Sequence, residues 1–253
     1  MSTLRVDDIR QAVRERYGDK ARGASAGTVD GEAKISSGIY AVSEVKALPM
    51  TVIAASAGCG NPVALAELRR GDAVLDLGSG GGIDCFLAAG KVGTQGRVLG
   101  VDMTSDMVRL ARDNARRIGV GNVSFMLGEI ERLPLKGNLL DVVMSNCVIC
   151  LSKERDSVFQ EAFRVLKPGG RLYISDMVLT GELPADVQQD PAMWVSCIGG
   201  AEPKETYLDR MRRSGFSMVE VVEEVPYWRE VEKGEEWKRN LLSISVRATR
   251  PLG

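Results

Sequence analysis

Five cysteines and no histidine bound the chemistry open to this 253-residue chain. Without an imidazole there is no Ser-His-Asp triad, the commonest general base is missing, and most catalytic zinc sites lose their usual ligand. What remains is thiols, carboxylates, hydroxyls or a bound cofactor. Cys147 and Cys150 stand in SNCVICL at 145–151, Cys59 in GCGNP at 58–62, and Cys197 in WVSCIGGA at 194–201. Cys85 falls on the buried side of a helical segment and reads as a small core hydrophobe. The other thiols admit three readings: core packing, a Cys-x-x-Cys redox pair at 147 and 150, or half of a zinc knuckle. The knuckle is the weakest, because only the scattered cysteines could complete it.

A second set of residues points to a nucleotide-like ligand. VLDLGSGGG at 74–82 is an apolar strand followed by a glycine-rich turn that opens a helix. Gly78, Ser79 and Gly80 there bring backbone N–H groups close to a ligand. Dinucleotide folds share such a turn, but here the third glycine comes one position early for their fingerprint. Asp102 ends the next strand, RVLGVD, where its carboxylate can accept from both ribose hydroxyls of an adenosine. Met103 follows, placed to cover one adenine face. Gly128, Glu129 and Ile130 lie just past the third strand, and Glu129 can accept from the adenine amino group. Asp76, in mid-strand, either lines the amine side of the ligand or hydrogen-bonds the turn; both readings stand. Together with KPGG at 167–170, these features resemble the class I S-adenosylmethionine methyltransferases.

The elements needed to position these residues are visible in the pattern. Strand-like runs at 73–78, 97–102, 123–128, 141–148 and 171–176 alternate with helical segments, one capped by Thr104 or Ser105 and running to about 118, another at about 153–166. Nearly continuous apolar strands separated by helices imply a parallel sheet covered on both faces. Two more strands are expected at 217–224 and 243–249, and a helix at 203–214. The fold expected is therefore α/β, a doubly wound, mostly parallel seven-stranded sheet. Residues 1–45 form a helical cover (4–18) and a mobile loop (21–39), 46–180 the cofactor-binding core, and 181–253 a capping insertion with the last helix and strands. The insertion, 180–203, should lie over the carboxyl edge of the sheet, where such folds bind ligands.

Composition narrows the partners. Lys+Arg 33 against Asp+Glu 34 gives a net charge of -1, without the basic excess of a nucleic-acid binder. The charged start MSTLRVDDIRQ has no apolar signal core, and no run is long enough to span a bilayer. An odd number of cysteines without a leader suggests reduced thiols and a cytoplasmic protein.

The cysteine-centred runs are more specific than the glycine turn. GCGNPVALA at 58–66, VLDLGSGGGIDCF at 74–86, SNCVI at 145–149 and WVSCIGGA at 194–201 resemble the arsenite S-adenosylmethionine methyltransferases, from about 40 to 216. The resemblance implies that Cys59, Cys147 and Cys197 bind trivalent arsenic as substrate and that Asn146 and Val148 line the cofactor pocket. It also implies a reaction suited to a chain without histidine. Three soft thiolates enrich arsenic in electron density, and its lone pair, not an O–H, attacks the methyl group of S-adenosylmethionine. Arsenic is formally oxidised in the process, so an external thiol reductant of thioredoxin or glutathione type is implied. The chain departs from the pattern in three places. The further cysteine that many members carry near the N-terminus is absent from 22–32, Ser196 stands where an acid is common, and Cys150 is an extra thiol that could resolve Cys147. Two alternatives remain open: methylation of an organic metabolite, with Glu129, Asp176 or Tyr173 as base, and a noncatalytic thiol-based metalloid binder.

Overall fold

Five consecutive residues of AVLDL are buried without a polar face, as only a strand covered on both sides allows. In the computed structural model, which describes residues 5–28, 39–228 and 231–252, this segment is strand β1 (Ala73–Leu77). It pairs in parallel with β2 (Arg97–Asp102) on one side and β4 (Leu140–Asn146) on the other. β3 (Val123–Leu127) and β5 (Leu166–Leu179) extend the parallel part, and β8 (Leu241–Thr249) and β7 (Ser217–Pro226) add antiparallel strands in the order β3-β2-β1-β4-β5-β8-β7. This is the expected class I methyltransferase sheet. The two-residue β6 (Glu202–Pro203), too short to show in an alternation pattern, pairs with β5 as an eighth strand off this path.

Because neighbouring side chains on a strand face opposite ways, Val74 and Leu75 enter different cores. Leu75, Leu77 and Val143 join Phe159, Tyr207 and Met211 on the face covered by the helices Arg155–Val165 and Lys204–Arg213. There Phe159 and Tyr207 meet edge to face, with centroids 5.3 Å apart. Val74, Val142 and Met144 join Phe86, Ala88 and Val92 beneath the helix Ile83–Val92. The strand order reverses direction between β1 and β4, so a crevice opens at their carboxyl ends. The glycine turn leaves β1 on one side of it, and the segment with Cys147 and Cys150 leaves β4 on the other.

The long N-terminal helix α1 (Val6–Ser25) corrects the expected loop at 21–39. Ala21 and Ala24 are part of it, buried against Ala54, Ala55, Met107 and Leu110; their small side chains let the helix continue in close packing where the composition suggested a turn. The rest of that loop, 29–38, lies outside the described residues. KPGG at 167–170 is not a free turn either. It sits inside β5 as an irregularity, where the register jumps from Leu140↔Leu166 to Val142↔Arg171 and Gly169 takes φ 76°. β4 ends at Asn146 rather than Val148, because the chain swings into a left-handed residue at Cys147. The segment 180–203 carries two short helices, Ala185–Gln189 and Pro191–Val195. Among the described residues no helix is long and apolar enough to cross a membrane.

Candidate active site

The crevice is a cavity partly open to solvent, bounded by the glycine turn, the ends of β2 and β4, and α1. Gly78 holds φ 70°, and a side chain there would run into Val148 across the turn. Only glycine satisfies both constraints. The amides of Gly78 and Ser79 donate to the carbonyl of Val101, tying the turn to β2. Asp102 completes the tie, its carboxylate accepting from the amides of Gly80 (2.9 Å) and Thr104 (2.8 Å). Each oxygen keeps a second lone pair, and Asp102 lines the cavity, so a vicinal diol bound there could use two fixed acceptors. Burial raises the pKa of Asp102, and the two amides oppose that rise. Ser79 also lines the cavity, and its buried hydroxyl has no hydrogen-bond partner among the described residues.

On the opposite wall stands an acid the sequence reasoning missed. Asp84, in the first turn of the helix after the glycines, accepts from the Tyr40 hydroxyl (2.9 Å) and the Asn146 amide (3.1 Å). Asp84, Tyr40 and Asn146 all line the cavity. Burial raises Asp84 to about 6, with the Asn146 and Tyr40 hydrogen bonds pulling the other way. A cationic amine placed here would find a carboxylate with no basic partner among the described residues. Asp76, by contrast, does not line the cavity. It accepts instead from the buried Cys85 thiol at 3.2 Å, a partner neither sequence reading named. Burial and neighbouring Asp84 push Asp76 well above the usual carboxylate range. Cys85 is fully buried core, as its position suggested.

Asn146 joins the cavity to the thiols. Its side-chain oxygen accepts from the amides of Cys59 (3.0 Å) and Gly60 (3.2 Å), and its nitrogen donates to the carbonyl of Gly60 (2.7 Å). Gly58 lies so close that a side chain there would overlap the Asn146 amide. One residue at the end of β4 thus carries the Cys59 loop to the cysteine that follows it.

The thiols converge from three segments. The sulfurs of Cys147, Cys150 and Cys197 lie within 4.8 Å of one another, all buried, and the half-buried Cys59 packs against the same cluster. Cys147 lines the cofactor-side cavity, so the cluster opens onto it. Cys150 is pinned at both backbone atoms: its amide donates to buried Asp176 (3.0 Å), and its carbonyl accepts from Arg155 (2.9 Å). The Arg155 guanidinium also donates to the carbonyl of Gly200, fastening the capping segment to the same point. Trp194 donates from its indole to the carbonyl of Leu151 at 3.0 Å. Of the three clustered thiols, Cys197 is the one whose pKa is lowered. Donation from the Cys147 and Cys150 thiols lowers its pKa to about 7, whereas Cys147, as donor to its neighbours, is raised well above the thiol range. Burial raises Cys150 as well. All five cysteines are free thiols.

The remaining sequence-derived candidates divide between two hollows. Gly78, Ser79, Gly80, Asp102, Met103, Ile130, Asn146 and Val148 line the main cavity. Gly128 and Glu129 line an adjoining hollow that shares Met103. Glu129 is held there by Arg14 at 2.6 Å. The acid that faces the main cavity is Glu131, two residues on, which accepts from Ser152 at 2.5 Å. The alternation of Glu129 and Glu131 in GEIE is the signal that could have found it. Arg10, Val13 and Tyr17 of α1 close the mouth, another contribution that no motif announced. Cys59 and Cys197 are outside the cavity wall and reach it through Cys147.

Known proteins agree with this geometry. A family profile described as a methyltransferase domain matches residues 68–243. The chain is 43% identical over 197 residues to an arsenite methyltransferase of Halobacterium salinarum, covering 77% of this chain and 50% of that protein. It is 40% identical over 153 residues to an arsenite methyltransferase of Homo sapiens, covering 57% of this chain and 40% of that one. The chain thus spans about half the length, or less, of these curated relatives. Among solved structures, CrArsM, an arsenic (III) S-adenosylmethionine methyltransferase from Chlamydomonas reinhardtii, superposes with a TM-score of 0.70 at 31% identity, covering 89% of this chain and 76% of that one. The YcgJ protein of Bacillus shares the fold at 19% identity, with a TM-score of 0.60 over 76% of this chain and 97% of its own. With the family profile spanning well over half of its residues, the chain belongs to the methyltransferase-domain family.

Proposed function

We propose that this chain transfers a methyl group from S-adenosylmethionine to trivalent arsenic held by cysteine thiolates. The observation that carries the reading is the opening of a buried thiol cluster onto a cavity with the shape and acids for an adenosyl amino acid. The cavity fits that cofactor residue by residue. Asp102 offers fixed acceptors to the ribose diol, Met103 and Ile130 offer apolar cover to the adenine, and Asp84 faces the amino group. When bound, the cofactor supplies an electrophilic methyl group.

The chain's own residues do the rest. Arsenite exchanges three hydroxides for thiolates, each As–O bond replaced by As–S while a thiol proton leaves as water. The product is neutral, so it can be buried among Leu151, Met177, Trp194 and Ile198 without an uncompensated charge. Soft sulfur ligands raise the electron density of the arsenic lone pair. The site then needs only to aim that lone pair and exclude water, which α1 and the capping segment favour. No base is required, in keeping with the absence of histidine. An external thiol reductant of thioredoxin or glutathione type restores trivalent arsenic and free thiols, and such a reductant is met in the cytoplasm.

The test is a methyl-transfer assay with arsenite, labelled cofactor and excess thiol, on wild type and Cys147→Ser. Methylated arsenic from wild type and none from the variant is expected. Tight cofactor binding without any arsenic product would sink the reading and turn attention to organic acceptors.

A further inference from the structure

The resemblance to arsenite methyltransferases implies one set of three thiols, Cys59, Cys147 and Cys197. The folded chain brings a different trio closest together: Cys147, Cys150 and Cys197. We infer that Cys150 is a metalloid ligand, and that the Cys147–Cys197 edge is shared by two overlapping trithiol sites, an outer one completed by Cys59 and an inner one completed by Cys150. The ligand class is a thiophilic trivalent metalloid, and its identity as arsenite rests on the function proposed above.

Four observations support the assignment. Sulfurs bonded to one centre at about 2.3 Å, the zinc–thiolate length, lie no more than about 4.6 Å apart. The Cys147, Cys150 and Cys197 sulfurs, within 4.8 Å of one another, need little closing. All three thiols also lie in one buried cluster with Leu151, Met177 and Trp194, an apolar setting that suits a neutral trithiolate. The Cys150 backbone is immobilised by Asp176 and Arg155, so the sulfur is held in place before any ligand arrives. Finally, the two alternative thiols differ in access. Cys59 is half-buried on a loop, while Cys150 is 1% exposed behind the shared edge.

A metalloid captured at the outer site can pass inward by one ligand exchange. The bond to the Cys59 sulfur breaks, a bond to the Cys150 sulfur forms, and the Cys150 proton moves to Cys59, with no change of charge or oxidation state. Cys147 lines the cofactor cavity and belongs to both sites, so the metalloid stays beside that cavity throughout. One thiol of the four is free at each stage.

The experiment binds arsenite to the full, reduced chain without cofactor and counts As–S bonds by X-ray absorption, with the ultraviolet As–S charge-transfer band as a second readout. Wild type, Cys59→Ser and Cys150→Ser should each show three sulfurs. The double variant Cys59→Ser/Cys150→Ser, Cys147→Ser and Cys197→Ser should each show two. Two sulfurs in either Cys59→Ser or Cys150→Ser, with three in wild type, would overturn the paired sites and leave the arsenical reading intact. No arsenite bound by wild type would overturn both.

Discussion

The Cys197 thiol faces the carbonyl oxygen of Cys147 at 3.3 Å, and both residues hold left-handed backbone, with φ of 65° and 57°. For a residue with a side chain that conformation costs roughly 1–2 kcal/mol. It persists only where the surroundings over-determine it. Cys147 is held by its amide bond to the carbonyl of Ser175, and Cys197 by its bond back to Trp194. The strain turns two thiols from distant segments toward one point. Replacing Cys147 by Gly should therefore leave a more stable protein than replacing it by Ala, by about 1 kcal/mol, and the same should hold at Cys197. Thermal unfolding of the four variants checks this. Equal stabilities for the Gly and Ala forms would mean the backbone is not strained there. Neither variant should support transfer.

The same pair sets a pH response. The Cys197 pKa is lowered to about 7 by donation from Cys147 and then Cys150, whereas an unfolded thiol titrates near ~8.5. A depressed acid contributes stability above its unfolded pKa, and the contribution is lost as pH falls through the folded value. Thiolate absorbance should thus show one group titrating near pH 7, absent in Cys197→Ser. In Cys147→Ser the midpoint should move, because the donor that lowers it most is changed. Wild type with no thiolate signal below about pH 8.5 would refute the assignment.

Much of this arrangement was legible beforehand, and what was hidden has a physical cause. Strand runs such as AVLDL and RVLGVD announce themselves because burial on both faces demands unbroken apolar sequence. Asp102 and the turn at Gly78 follow from a strand–glycine–helix order that has few other uses. Asp84 was hidden because an acid in a helix's first turn is ordinary; only the fold shows Tyr40 and Asn146 aimed at it from 44 and 62 residues away in the chain. The closeness of Cys150 was hidden for a similar reason. Spacing within CVIC does not reveal that the chain leaves the sheet at a left-handed Cys147 and enters a 3-10 turn at Ile149–Leu151, swinging the second thiol toward Cys197.

Asp84 gives a prediction of opposite sign. Burial raises it to about 6, so its contribution to stability is full below the unfolded carboxylate pKa of about 3.9 and is lost as pH rises through about 6. Asp76 and Asp176, both raised well above the usual range by burial, act in the same direction. Denaturant unfolding across that window should show Asp84→Asn less pH-dependent than wild type, by on the order of 1–3 kcal/mol. Cofactor affinity should respond inversely, strengthening in wild type as pH rises through about 6 and the carboxylate ionises to meet the amine. A wild-type affinity flat across that range would count against an amine at Asp84.

Asn146 is predicted to act on both halves of the site. Its amide group engages Tyr40, Gly60, Asp84 and the Cys59 amide. Asn146→Ala leaves these partners buried and unsatisfied, at a cost on the order of 2–3 kcal/mol. It should weaken cofactor binding and also slow the capture of arsenite through Cys59. Asn146→Asp keeps the oxygen that accepts from Cys59 but sets a second acid against Asp84, so it should retain capture better than cofactor affinity. Measuring the two affinities separately by calorimetry distinguishes these outcomes, and equal losses in both variants would contradict the division of labour.

The capping segment depends on a glycine that the thiols never touch. A side chain at Gly200 would collide with the carbonyl oxygen of Cys150, the atom that Arg155 holds together with the carbonyl of Gly200 itself. Backbone cannot give way as a flexible side chain can, so Gly200→Ala must displace either the capping segment or Cys150. Overpacking of this kind costs typically 1–3 kcal/mol, and here it acts at the hinge between the two thiol-bearing segments. Arsenite affinity should fall at least tenfold, while cofactor affinity stays near wild type because Gly200 does not line the cofactor cavity. Gly199→Ala is the comparison, since a side chain there meets the Trp194 backbone at 3.0 Å without reaching Cys150. It should destabilise the segment yet disturb arsenite binding less. If both variants lowered arsenite affinity equally, the loss would trace to general loosening of the segment, and the specific contact between Gly200 and Cys150 would carry no weight.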